Sequence, residues 1–193
     1  MSEMIERTLR VRQVAMPKRV KVLTVGDVKT GKSALIKQYC ENRFVSQYLM
    51  TIGIDYGVKV VKHNSSMYHL NFWDCSGLPE FTDCRIEFYS DCNVIVLVFD
   101  YTCPDSFDNL TSWIGEIRQV VSTLPPIILV GNKADLTGRA RKGTVKEKQV
   151  AEFLNRFKFP FFKTSASTNE GIQALFDEIL NIAEEQTALP SIR

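Results

Sequence analysis

VKVLTVGDVKTGKSALIKQYCENRF, residues 20–44, holds the reading that decides the fold. VKVLTVG (20–26) is an apolar, β-branched run ending in glycine, the pattern of a buried strand. KSALIKQYCENRF (32–44) places Leu35, Ile36 and Tyr39 at helical spacing. Between them GDVKTGKS (Gly26–Ser33) matches G-x-x-x-x-G-K-[ST]. A strand, a glycine loop and a helix in that order make a cradle for phosphate. Gly26 and Gly31 let the backbone turn so that its N–H groups face inward, and the helix N-terminus adds its positive end. Asp27, Val28, Lys29, Thr30, Gly31, Lys32, Ser33 and Ala34 would line the nucleotide phosphates. Lys32 would reach the β- and γ-phosphates, and the Ser33 hydroxyl would ligate Mg²⁺, a hard ion that takes oxygen ligands.

Outward from this loop the pattern repeats. YGVKVVKHNSSMYHLNFWD (56–74) reads as two strands about a turn at 64–66. NVIVLVFD (93–100) is the most apolar run and the expected central strand. An amphipathic helix over 106–124 follows, then strand 127–135, helix 145–157, strand 159–167 and helix 170–186. Strands alternating with helices mean an α/β fold. The expectation is a six-stranded, mainly parallel sheet with one antiparallel edge strand and helices on both faces. The chain has 193 residues, long enough for one domain with its own core. Residues 1–19 read as a basic N-terminal extension, 20–186 as the domain and 187–193 as a tail.

Composition excludes several classes. Lys plus Arg, 24, against Asp plus Glu, 22, leaves +2, too small for a nucleic-acid binder held by bulk charge. No apolar run reaches the roughly 18 residues that span a bilayer. Five cysteines without C-x-x-C spacing give neither a disulfide framework nor a zinc site.

NKAD (Asn132–Asp135) ends the strand IILVG. There the Asp135 carboxylate can accept two hydrogen bonds from N1–H and the 2-amino group of guanine. Adenine lacks that donor pair and would leave the carboxylate unpaired. Lys133 can lay its methylene stem over the base. TSAS (Thr164–Ser167) ends the next strand and completes the base side with Ser165, Ala166 and Ser167. The Ala166 N–H would donate to the 6-oxo group.

These motifs resemble those of the Ras-superfamily small GTPases, and most of all the Rab and Rab-like branch over about residues 20–185. FVSQYLMTIGIDYGVK (44–59) resembles the Rab effector loop, and WDCSGLPEF (73–81) resembles W-D-T-A-G-Q-E. CENRFVSQYLMTIGIDYGVKV is similar to the Rab-like RJL group. A J domain is not expected here, because His63 and His69 are the sole histidines and neither begins His-Pro-Asp. The resemblance implies the P-loop NTPase (small G-protein) fold, GTP and GDP as ligands, and Mg²⁺. It implies that Phe44 packs on guanine, that Thr51 ligates Mg²⁺ and senses the γ-phosphate, that Asp74 holds Mg²⁺ through water, and that Gly77 offers its N–H to the γ-phosphate. Effectors would dock on switch loops near 44–57 and 74–90.

Lys32, Thr51, Gly77 and position 78 are the expected catalytic set, and position 78 departs from the family. Leu78 stands where the usual Gln orients the attacking water, and leucine has no donor or acceptor. Val28 would crowd an arginine finger. The expectation is a nucleotide switch with slow hydrolysis; the alternative is a mostly GTP-bound binding scaffold. A P-loop kinase or ATPase leaves Asp135 unexplained. The last cysteine is Cys103, so no prenyl anchor is expected in the chain as given. A monomer in the cytoplasm or nucleus follows as an expectation. Trp113 reads as packing, and Phe81, Tyr89, Ile52 and Trp73 as an apolar partner patch.

Overall fold

A computed structural model describes residues 16–139 and 143–188. The basic segment thus falls mostly outside the described residues, as do 189–193 of the tail. Six strands, β1 (Lys18–Val25), β2 (Ile54–His63), β3 (Ser66–Cys75), β4 (Val94–Asp100), β5 (Ile127–Asn132) and β6 (Phe161–Lys163), form one sheet in the order β2-β3-β1-β4-β5-β6. Only β2, at one edge, runs antiparallel to its neighbour; the turn at Asn64, where φ is 50°, returns the chain as a hairpin. Every other pairing is parallel.

β4 is buried from end to end, which is why its sequence is an unbroken apolar run. Its side chains alternate between two cores. Val94, Val96 and Val98 join Leu35, Ile36 and Tyr39 of α1 (Lys32–Glu41) and Leu175, Phe176 and Ile179 of α6 (Ile172–Ala188). Ile95, Leu97 and Phe99 face the opposite layer. It is built from α3 (Pro104–Asp108), α4 (Leu110–Val120) and α5 (Glu147–Phe157), whose Phe107, Leu110, Trp113, Ile114, Ile117 and Val150 pack there. The expected α/β sheet with covered faces is therefore present, and its strand ends line up along one rim.

Three expectations change. The helix expected over 106–124 is two helices broken at Asn109, whose ψ of −9° loosens the turn. It ends at Val120, because Val121 is already extended ahead of the Pro125–Pro126 pair. The strand expected over 159–167 shortens to Phe161–Lys163, an edge strand that meets β5 at three positions. A short helix unread in the sequence, α2 (Thr82–Ile86), follows a tight turn at Pro79–Phe81.

Candidate nucleotide-binding site

The loop after β1 closes on itself. Thr30 Oγ1 donates to the Asp27 carbonyl at 2.9 Å, and Lys32 Nζ donates to the Gly26 and Asp27 carbonyls, each at 2.9 Å. Lys32 is only 6% exposed. Burial pushes its ammonium below the ordinary lysine value, and the nearby Asp74 charge opposes that push. A desolvated cation under inward-facing N–H groups is a strong attractor for phosphate oxygens. Gly31 caps α1 at φ 95°, and a Cβ there would lie 2.3 Å from Asn132 Nδ2, so no other residue fits. Val28 and Lys29 stand exposed on the rim, and Ala34 is half-buried in the first turn of α1.

Three oxygens converge beside it. Ser33 Oγ lies 2.5 Å from Asp74 Oδ2 and 3.1 Å from Thr51 Oγ1, and Thr51 Oγ1 lies 3.3 Å from the same carboxylate oxygen. Thr24 Oγ1 donates to Asp74 Oδ1 at 3.1 Å, a partner the motif reading missed. Burial pushes the Asp74 carboxyl above the ordinary range, against hydrogen bonds from Ser33, Thr24 and Thr51 and the Lys32 charge. Two hydroxyls and a buried carboxylate are the donor chemistry of a hard divalent cation. Residues 18, 23 and 41 positions apart along the chain are thus brought together.

The base side is braced by Asn132. Its Nδ2 donates to the Thr30 carbonyl at 2.9 Å, and its Oδ1 accepts from Thr164 Oγ1 at 3.2 Å and from the Ala166 N–H at 3.3 Å. The Ala166 N–H expected to face guanine therefore points to Asn132 in this structure. Lys133, at φ 60°, pairs with Asp100 Oδ2 at 2.7 Å. Asp135 is half-buried in the turn Ala134–Arg139. Ser165 is buried and its Oγ accepts from the Thr168 N–H at 3.1 Å, whereas Ser167 is exposed. Phe44 stands 43% exposed on an irregular segment whose residues 42–50 are all exposed.

Gly77 presses on the phosphate loop: a Cβ there would lie 2.5 Å from the Val28 nitrogen and 2.6 Å from the Asp27 carbonyl carbon. Leu78 follows, half-buried, and its carbonyl accepts from Arg85 Nη1 at 2.7 Å. Arg85 forks onto Glu116 at 2.7 and 2.6 Å. Tyr89 also donates to Glu116, at 2.5 Å. Burial alone would raise the Glu116 carboxyl, but hydrogen bonds from Arg85 and Tyr89 outweigh it and hold the group below its ordinary value.

Two expectations are corrected here. Tyr89 is 1% exposed and belongs to the core, so it joins no surface patch. Phe88 takes its place: Tyr56, Trp73 and Phe88 meet as tilted rings, with Trp73 centroid distances of 4.8 Å to Tyr56 and 4.7 Å to Phe88. Trp113 does more than pack, since its indole N–H donates to Asp27 Oδ1 at 2.7 Å. Asn109 Nδ2 caps the other oxygen at 2.7 Å. The available signal was a carboxylate inside a loop built for anions, with Asn109 and Trp113 at i, i+4 spacing to donate to its two oxygens.

The Ras family profile matches residues 21–185, from within β1 into α6. DnaJ homolog subfamily C member 27 of Danio rerio is 40% identical over 168 residues, covering 84% of this chain and 60% of that protein. The Homo sapiens protein of that name is 41% identical over 163 residues, covering 82% and 59%. Member 27-B of Xenopus laevis is 37% identical over 168 residues, covering 83% and 60%. The chain thus spans about three fifths of the length of these curated relatives. A profile running from the phosphate loop past the base-reading strand ends, over relatives near 40% identity, establishes that the chain belongs to the Ras family of small GTPases.

Proposed function

We propose that this chain is a Rab-like guanine-nucleotide switch of the RJL type, with hydrolysis slowed by Leu78. One observation carries the reading: Ser33, Thr51 and Asp74 meet within 3.3 Å of one another, beside the buried Lys32 of the phosphate loop. Ser33, Thr51 and Asp74 would hold Mg²⁺, which supplies positive charge to the β- and γ-phosphate oxygens. Lys32 and the loop N–H groups bind the phosphates. Asp135 reads guanine, Asn132 braces the loops around it, and Lys133 and Phe44 flank the base. The Gly77 N–H meets the third phosphate, and Thr51 senses it. Water attacks the γ-phosphorus and the bond to the β–γ bridging oxygen breaks, giving GDP and phosphate. Leu78 offers that water no hydrogen bond, so the step is slow.

Partners would dock where apolar side chains stand exposed, at Tyr48, Leu49, Met50, Ile52 and Tyr56, and on the second loop over 74–90. Among the described residues no helix is long and apolar enough to cross a membrane. We assign the chain to the cytoplasm or nucleus as a monomer. A second reading, a GTP-bound scaffold, is favoured by the apolar side chains of Leu78 and Val28 at the two positions that most affect hydrolysis.

The test is chromatography of the nucleotide released from purified protein, then single-turnover hydrolysis after loading with GTP and Mg²⁺. Recovery of guanine nucleotide with GTP persisting for many hours is expected. Rapid GDP accumulation would remove the role given to Leu78, and failure to load any guanine nucleotide would overturn the whole reading.

A further inference from the structure

We propose that Asp27, Trp113, Arg85 and Glu116 form a relay that positions Gly77 against the phosphate loop, and that this relay makes the site hold triphosphate longer than diphosphate. The proposal rests on the guanine-nucleotide reading above. Asp27 is the starting point. A free carboxylate in this loop would repel phosphate, but both its oxygens are occupied, one by Trp113 Nε1 and one by Asn109 Nδ2, each at 2.7 Å. Its charge is turned toward α4 and away from the mouth of the loop.

The Trp113 ring then carries the Arg85 guanidinium on its face, 4.6 Å from the centroid. Arg85 is 4% exposed and spends its donors on three elements: Glu116 on α4, Thr82 Oγ1 at 2.9 Å, and the Leu78 carbonyl at 2.7 Å. Glu116 is held in turn by the Tyr89 hydroxyl. On the other side of Gly77, the Ser76 N–H donates to the Gly53 carbonyl at 2.8 Å and Ser76 Oγ accepts from the Leu78 N–H at 3.4 Å. The segment 76–78 is thus tied at both ends while Gly77 rests on Asp27 and Val28. The ties hold the Gly77 N–H in the place where a third phosphate would meet it, which lowers the cost of ordering that contact. A diphosphate never reaches this N–H and gains nothing from the relay.

These are positioning residues, and their test compares two ligands. Dissociation rates of a fluorescent non-hydrolysable GTP analogue and of fluorescent GDP are measured with Mg²⁺ for the wild type, Glu116→Gln and Trp113→Phe. Trp113→Phe keeps an aromatic face for Arg85 and removes the N–H, so it remains informative if Glu116→Gln folds poorly. From Glu116→Gln the analogue should leave on the order of tenfold faster, with GDP within about twofold of wild type; from Trp113→Phe, which also uncovers one Asp27 oxygen, both ligands should leave faster, the analogue by the larger factor. Rates that rise equally for both ligands, or change for neither, overturn the relay as a device for triphosphate selectivity. A wild type that binds neither ligand overturns the guanine-nucleotide reading and the relay with it.

Discussion

Asn132 Nδ2 donates to the Thr30 carbonyl at 2.9 Å, so the end of β5 and the phosphate loop are one hydrogen-bonded unit. The same side chain reaches the loop after β6 through Thr164 and Ala166. Asn132 is 1% exposed, so truncation strands all three partners away from water. Asn132→Ala should cost about 2–4 kcal/mol, read as a lower urea midpoint of the nucleotide-free protein. It should also weaken GDP binding in the same preparation. An unchanged midpoint would show that the three loops are braced by other contacts.

Asp135 sits half-buried in the turn that follows β5, at the same rim as the phosphate loop. If it accepts from N1–H and the 2-amino group of guanine, Asp135→Ala removes two charge-assisted bonds at once. Guanine nucleotide affinity should fall roughly 10²–10⁴-fold, with ATP binding little altered. Competition titrations of GDP against ADP would measure the ratio. Retained preference for guanine would move base recognition elsewhere.

The phosphate loop, the hairpin edge and the central strand were legible because their signals are local: a glycine spacing, an alternation, an apolar run. The rest was set by contacts between distant residues. Trp113 and Asp27 lie 86 positions apart, and nothing in the helical period of 106–124 says which side chain on that face will meet a carboxylate. Tyr89 looks amphipathic in sequence, yet Glu116, 27 positions away, gives its hydroxyl a buried partner and draws it inside. β6 is short for the same kind of reason, since past Lys163 the Thr164 N–H makes the last bond to β5, at the Gly131 carbonyl, and Ser165 turns to the Glu170 bridge.

Leu78 is held by its backbone, not its side chain, because the Arg85 contact is to its carbonyl. Leu78→Gln should therefore enter without disturbing the segment and supply the missing donor and acceptor. Single-turnover GTP hydrolysis should accelerate by roughly 10–100-fold, at unchanged GDP affinity. If the rate stays put, Val28 or the geometry of the loop limits hydrolysis, and the double substitution with Val28→Gly would separate those causes.

Glu116 gives the clearest dependence on pH. Arg85 and Tyr89 hold its folded carboxyl below the ordinary value of 4.5. Between the folded and unfolded values the unfolded chain binds a proton that the folded chain does not, so stability there rises with pH. The contribution of the pair is complete above the ordinary value and is lost as pH falls through the lowered folded value. Glu116→Gln lacks this titration. Near neutrality the wild type should be the more stable by roughly 1–2 kcal/mol, and the two urea midpoints should converge as pH falls below the ordinary carboxyl value and through the lowered folded one. A gap that widens on acidification would mean that the carboxyl is protonated more readily in the folded chain, which is incompatible with its paired donors from Arg85 and Tyr89.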